Sequence, residues 1–127
     1  MKNGLFGFLD TRSPEERAQE EAAYLQRIFP YGMAQRDKVA RLLAAVIPSK
    51  HPELVLMCYI LTKEDTIRPG GPGFDQAFLK AQKVSRFAVG AEHKERLRLI
   101  LEADCAIGRE LHYPAPEALA RQPRIEE

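Results

Sequence analysis

One carboxylate, Asp104, lies in an otherwise apolar part of the sequence. In a helix, its neighbours one turn away are Ile100, Leu101, Ile107 and Gly108. A carboxylate in such surroundings is partly buried, and a buried charge needs a partner or shifts its pKa upward. Asp104 is therefore either a structural bridge to an arginine or to the backbone, or a catalytic acid. We favour the structural bridge, because structural pairs perturb pKa values just as catalytic sites do.

A glycine- and proline-rich loop, residues 68–73, precedes a predicted helix, where backbone amides can bind an anion. Arg68 and Lys80 are the candidate charged contacts. The loop does not match either glycine-rich phosphate-binding pattern. Pro69 and Pro72 also remove two of the amide donors that an anion site needs. A structural connector is the favoured interpretation, with anion binding as the alternative.

A basic stripe, residues 80–98, holds six Lys or Arg residues against two glutamates, a local excess of +4. The whole chain has 19 basic and 18 acidic residues, a net charge of +1, which argues against a dominant polyanion-binding role. Lys80, Lys83 and Arg86 are the candidate nucleic-acid contacts. Apart from Phe87, the stripe has no aromatic residue placed to stack on bases. A solvated helix face is therefore favoured over nucleic-acid binding.

The two cysteines, Cys58 and Cys105, lie in apolar stretches and are predicted to be reduced thiols of a cytoplasmic protein. No histidine shares a zinc-ligand spacing with a cysteine or a carboxylate. The longest apolar run, residues 54–61, is too short to cross a membrane. We therefore expect no metal, cofactor or membrane partner, and a binding role is favoured over an enzymatic one.

An N-terminal apolar arm, residues 1–12, precedes the first helix cap. Its candidate interaction residues are Leu5, Phe6, Phe8 and Leu9. The arm either packs on its own domain or inserts into a partner or a second copy. Packing of the arm on its own domain is favoured, because exposed apolar patches are uncommon in monomers. The arm is nevertheless the main reason to expect a homodimer.

The elements that must position these residues are all predicted to be helices. Ser13 and Glu16 form a capping box that begins the first helix. The third helix, which begins at Pro52, is apolar on every side, so periodicity alone does not distinguish it from a buried strand. The five predicted helices cover residues 13–29, 34–47, 52–64, 74–90 and 92–111. The inner face predicted for the first is formed by Ala18, Ala22, Leu25, Ile28 and Phe29.

These elements predict an all-α fold, a compact bundle of about five helices with short connections. The 127 residues (14.4 kDa) fit one bundle domain, residues 13–112, followed by a proline-containing tail, residues 113–127. The predicted function is a cytoplasmic protein-interaction or self-associating module. It would use the arm and the exposed side of the fifth helix. The alternative is a nucleic-acid-associated regulator that uses the basic stripe.

Overall fold

The computed structural model describes residues 13–107 and 113–120. Over these residues the chain is an all-α bundle without β-strands, as predicted. The six helices are α1 (Pro14–Ile28), α2 (Met33–Val46), α3 (Pro52–Ile67), α4 (Phe74–Val84), α5 (Lys94–Ala106) and α6 (Pro116–Ala120). A 3₁₀ turn, Ala91–His93, leads into α5.

Helix α3 is the centre of the bundle. The segment with ambiguous periodicity is a helix, and Pro52 occupies its first turn, where a missing amide proton costs nothing. The helix packs most extensively on α4 and also contacts α1, α2 and α5. Val55, Cys58 and Tyr59 are almost completely buried, which explains why the segment lacks a polar face. No helix in the described part of the chain is long and apolar enough to cross a membrane.

Helix α1 begins with the predicted capping box. The Glu16 amide donates to Ser13 Oγ (3.1 Å), and the Ser13 amide donates to Glu16 Oε1 (2.8 Å). The predicted inner face is only partly correct, because Ala18 and Ala22 are exposed while Ile28 is buried. The bundle therefore covers only the C-terminal part of α1, and residues 14–23 are exposed to solvent.

Helix α4 ends at Val84, six residues before the predicted C-terminal Gly90. The Ser85 hydroxyl donates to the Ala81 carbonyl (2.7 Å), a local bond that competes with continuation of a helix. The left-handed backbone conformation falls on Arg86 (φ 58°) and Phe87 (φ 59°), not on the glycine. The prediction failed because tertiary contacts, not glycine, determine where this helix ends.

Local hydrogen bonds and the burial of Val89 hold this turn in place. The Phe87 amide donates to the Gln82 carbonyl (2.7 Å), and Gln82 Nε2 donates to the Val89 carbonyl (2.9 Å). Val89 is fully buried. The chain reaches Val89 through Arg86 and Phe87, whose left-handed conformation costs non-glycine residues roughly 1–2 kcal/mol each.

Helix α5 is shorter than predicted. It was expected to reach Leu111, but Ile107 is already extended (φ −73°, ψ 151°), and residues 108–112, with Gly108, lie outside the described residues. The chain is described again from Tyr113. Helix α6 then packs on α2 and α5, with Leu119 buried in the core.

The glycine-rich loop contains one close approach that only glycine permits. A Cβ atom at Gly71 would lie 2.4 Å from the Asp65 carbonyl oxygen. We expect Gly71→Ala to lower the free energy of unfolding by about 1–3 kcal/mol, because the backbone must shift to relieve this overlap. Gly73→Ser is the control, since a Cβ there meets nothing within 4 Å and serine is a favourable N-cap. Urea denaturation measures both variants, and equal stabilities would contradict the close packing.

Candidate functional site

The side chain of Asp104 is the centre of a buried polar cluster. Its Oδ1 atom accepts hydrogen bonds from Gln35 Nε2 (2.6 Å) and from the Tyr113 hydroxyl. Its Oδ2 atom accepts from the Tyr59 hydroxyl (2.7 Å) and from Lys63 Nζ. Asp104 is 3% exposed. The cluster thus joins α2, α3, α5 and the segment before α6 at a single carboxylate.

Lys63 connects this cluster to the end of α1. Besides Asp104, its ammonium group donates to the carbonyl of Ile28, the last residue of that helix. Nζ also lies 5.0 Å from the centre of the Phe29 ring, a cation–π contact. The Lys63 and Asp104 side chains are 4% and 0% exposed, so the ion pair is closed to solvent.

The Asp104 carboxylate has no free acceptor position for a substrate. Asp104 accepts two hydrogen bonds on each oxygen, which fills the usual acceptor positions of a carboxylate. Among the described residues, every buried side-chain nitrogen and oxygen has a partner. A general base needs a lone pair within reach of the proton that it removes. The geometry is that of a structural clamp between helices.

The sequence prediction missed the clamp's partners. It anticipated an arginine or the backbone, whereas the structure supplies Lys63, Gln35 and two tyrosines. One available signal was the spacing of Tyr59 and Lys63, which lie four residues apart and therefore on one face of α3. The tyrosine of that pair lies within the apolar run 54–61, so a polar contact for its hydroxyl could be expected.

The clamp shifts the titration of its two tyrosines. Burial, followed by the negative charge of Asp104, raises the pKa of Tyr59 well above its ordinary value. Burial and the hydrogen bond to Asp104 raise the pKa of Tyr113 in the same direction. Both phenols must therefore stay protonated to donate to the carboxylate.

An open cleft of 280 Å³ lies over the clamp. Tyr31, Ile67 and Cys105 contribute to its walls, and Lys63 and Asp104 lie at its base. Because these two are buried and paired, their charges are not available to a ligand in the cleft. Burial also raises the pKa of the Cys105 thiol, although Lys63 acts in the opposite direction. The thiol is therefore not activated as a nucleophile.

Many charges of the glycine-rich loop and the basic stripe are neutralised within the chain. Arg68 and Lys80 both pair with Asp65, at 3.6 and 3.5 Å. Lys94 pairs with Asp75 (2.8 Å). Arg98 pairs with two glutamates of its own helix, and these contacts raise its pKa. The loop and the stripe therefore offer less free positive charge than the sequence indicated.

Two candidate cations lie elsewhere, on an exposed apolar surface. Lys83 and Arg86 form no ion pair with any described residue, and α4 and the turn after it also carry three large exposed apolar side chains. Leu79 and Val84 are each 55% exposed, and Phe87 is 62% exposed. We call these five residues the α4 face.

The candidate interaction residues Leu5, Phe6, Phe8 and Leu9 lie outside the described residues. Asp104 is brought together with partners from several helices, while the α4 face is at a distinct exposed surface. No protein-family model, curated protein or solved structure matches this chain. Its function therefore has to be inferred from the contacts and surfaces described above.

Proposed function

We propose that this protein is a protein-interaction module that associates with a second copy of itself. The observation that carries the proposal is the exposure of Leu79, Val84 and Phe87 on the α4 face. Exposed apolar side chains beside an arginine match the composition of interface cores, where aromatic residues and arginine are enriched. Each of these three side chains is more than half exposed, so a function in binding accounts for them best.

The backbone of the α4 face supports this proposal. Arg86 and Phe87 are held in a left-handed conformation that non-glycine residues rarely adopt. Strain of this kind persists where the surrounding structure imposes it, and it is concentrated at functional positions. Here it keeps the Phe87 ring in solvent, whereas the neighbouring Val89 is buried.

Helix α5 is a poorer candidate for the contact surface. Its exposed residues are Glu102, Cys105 and Ala106, and Glu102 is already paired with Arg98. An interface needs a central apolar anchor from which water is excluded. Phe87 supplies a large exposed apolar side chain of this kind, whereas the exposed residues of α5 include none.

Self-association is tested by light scattering coupled to size-exclusion chromatography over a series of concentrations. We expect the unmodified chain to form dimers and Phe87→Asn to shift the equilibrium to monomers. Asparagine tolerates the left-handed backbone, so this variant keeps its fold. Met57→Gln is the matched control, because it removes an exposed apolar side chain from α3. A chain that is monomeric up to its solubility limit would overturn the proposal.

The second candidate is a nucleic-acid-associated regulator. The observation that favours it is the exposed Phe87 ring close in sequence to Lys83 and Arg86, which form no ion pair with any described residue. Aromatic rings and cations together bind single strands. If nucleic acid holds copies of the protein together, nuclease treatment should change the oligomeric state. Binding to oligonucleotides should also weaken steeply as the salt concentration rises. No binding at low salt would eliminate this candidate.

A further inference from the structure

The exposed part of α1 presents a face that the bundle leaves uncovered. Ala18, Ala22 and Leu25 follow the i, i+4, i+7 spacing of a single helix face, and Glu15 and Glu21 lie on the same side. All of these except the half-buried Leu25 are exposed. A helix of this length is only marginally stable without packing, so a covering partner would stabilise it.

The orientation of this α1 face relative to the bundle is already fixed. The Ile28 carbonyl at the C-terminal end of α1 accepts a hydrogen bond from Lys63. One turn earlier, Tyr24 donates to Glu64 (3.1 Å), and Arg27 pairs with the same carboxylate (3.5 Å). The end of α1 is thus anchored to α3. A preorganised helix loses little conformational entropy when it docks.

The charges of α1 and of the α4 face are opposite. Residues 14–23 contain four glutamates and one arginine, a net charge of −3. The α4 face carries Lys83 and Arg86, which have no ion-pair partner in the described chain. Two α1 helices would repel each other, and so would two α4 faces. Of the pairings that these two surfaces allow, only α1 on the α4 face brings opposite charges together.

We infer that the exposed face of α1 docks on the α4 face of a second copy, an inference that rests on the self-association proposed above. Ala18 and Ala22 allow close approach to Phe87 of the other copy and to its Leu79, which shares a helix face with Lys83. The glutamates that flank the two alanines pair with its free cations. The ten exposed residues of α1 extend over about 15 Å, which is close to the length of α4. In a two-fold dimer the same contact occurs twice.

Charge exchange tests this arrangement. One variant reverses α1 (Glu15→Lys with Glu21→Lys), and the other reverses the α4 face (Lys83→Glu with Arg86→Glu). Each variant alone places like charges in both contacts of the dimer, and we expect its dimer dissociation constant to rise by at least about a hundredfold. An equimolar mixture places opposite charges in both contacts. We therefore expect the mixture to form a heterodimer about as stable as the original dimer.

The controls reverse exposed charges elsewhere in the chain. Glu53→Lys with Glu117→Lys matches the first variant, and Arg41→Glu with Lys50→Glu matches the second. Circular dichroism checks that all four proteins are folded. Analytical ultracentrifugation measures the dissociation constants, and raised salt should weaken the original dimer.

The outcomes separate this inference from the proposed function. Monomeric single variants whose mixture dimerises support docking of α1 on the α4 face. A variant that dimerises like the original chain, or a mixture that stays monomeric, overturns the inference and leaves self-association to another surface. A monomeric original chain overturns both.

Discussion

The Asp104→Ala variant is expected to lose about 3–5 kcal/mol of unfolding free energy, because the substitution leaves the Lys63 ammonium buried without its carboxylate. The hydroxyl groups of Tyr59 and Tyr113 lose their acceptor in the same step. Domains of this size are stable by only about 5–15 kcal/mol. The variant should therefore unfold at markedly lower urea concentration and temperature.

Two further variants test whether the unpaired buried charge causes this loss of stability. The double variant Asp104→Leu with Lys63→Met removes both charges, and we expect it to be more stable than Asp104→Ala. Asp75→Ala breaks the exposed pair with Lys94, and we expect it to cost less than about 1 kcal/mol. If Asp104→Ala is as stable as the original chain, the carboxylate is not a structural clamp. Unchanged self-association of the folded variant would separate this role from binding.

Alkaline pH is expected to destabilise the fold steeply above about pH 10. The pKa values of Tyr59 and Tyr113 are raised in the folded chain, by burial first and then by Asp104. Above the ordinary tyrosine pKa, the unfolded chain loses protons that the folded chain retains. The contribution of these two tyrosines to the stability is therefore complete below about pH 10 and falls as the pH rises. Between its pKa in the unfolded chain and its pKa in the folded chain, each such tyrosine lowers the free energy of unfolding by about 1.4 kcal/mol per pH unit.

Urea denaturation at a series of pH values measures this dependence, and the ultraviolet absorbance of tyrosinate reports the ionisation. The Tyr59→Phe variant removes one of the two groups. We expect its stability to depend less steeply on pH, by about 1.4 kcal/mol per pH unit. If the variant and the original chain show the same dependence above pH 10, Tyr59 is not held in its protonated form by the clamp.

The helical fold was predictable because its signals are local. The capping box at Ser13 and Glu16 lies within one turn, and the periodicity of α2 lies within fourteen residues. Such signals depend on backbone groups and side chains close in sequence, so they survive in any tertiary arrangement. The burial of Asp104 could likewise be expected from its apolar neighbours Ile100 and Leu101, which lie one turn away on the same helix.

The partners of Asp104 could not be predicted in this way. Lys63 lies 41 residues from Asp104 and Gln35 lies 69 residues away. A contact between helices depends on how their faces meet, and one sequence contains many charged residues that could satisfy a buried carboxylate. The packing of α3 against α5 and α2 determines which of these residues become the partners of Asp104.

The sequence alone determined that the described chain is helical, where α1, α2 and α3 begin, and that the near-neutral total charge hides acidic and basic regions. Only the tertiary structure decided which charges remain free. It pairs Lys80 with Asp65, leaves Lys83 and Arg86 in solvent, and ends α4 early so that Phe87 is exposed. It also leaves the first turns of α1 uncovered. Local propensity fixes the helices, but the interior contacts of the bundle determine which surfaces remain for a partner.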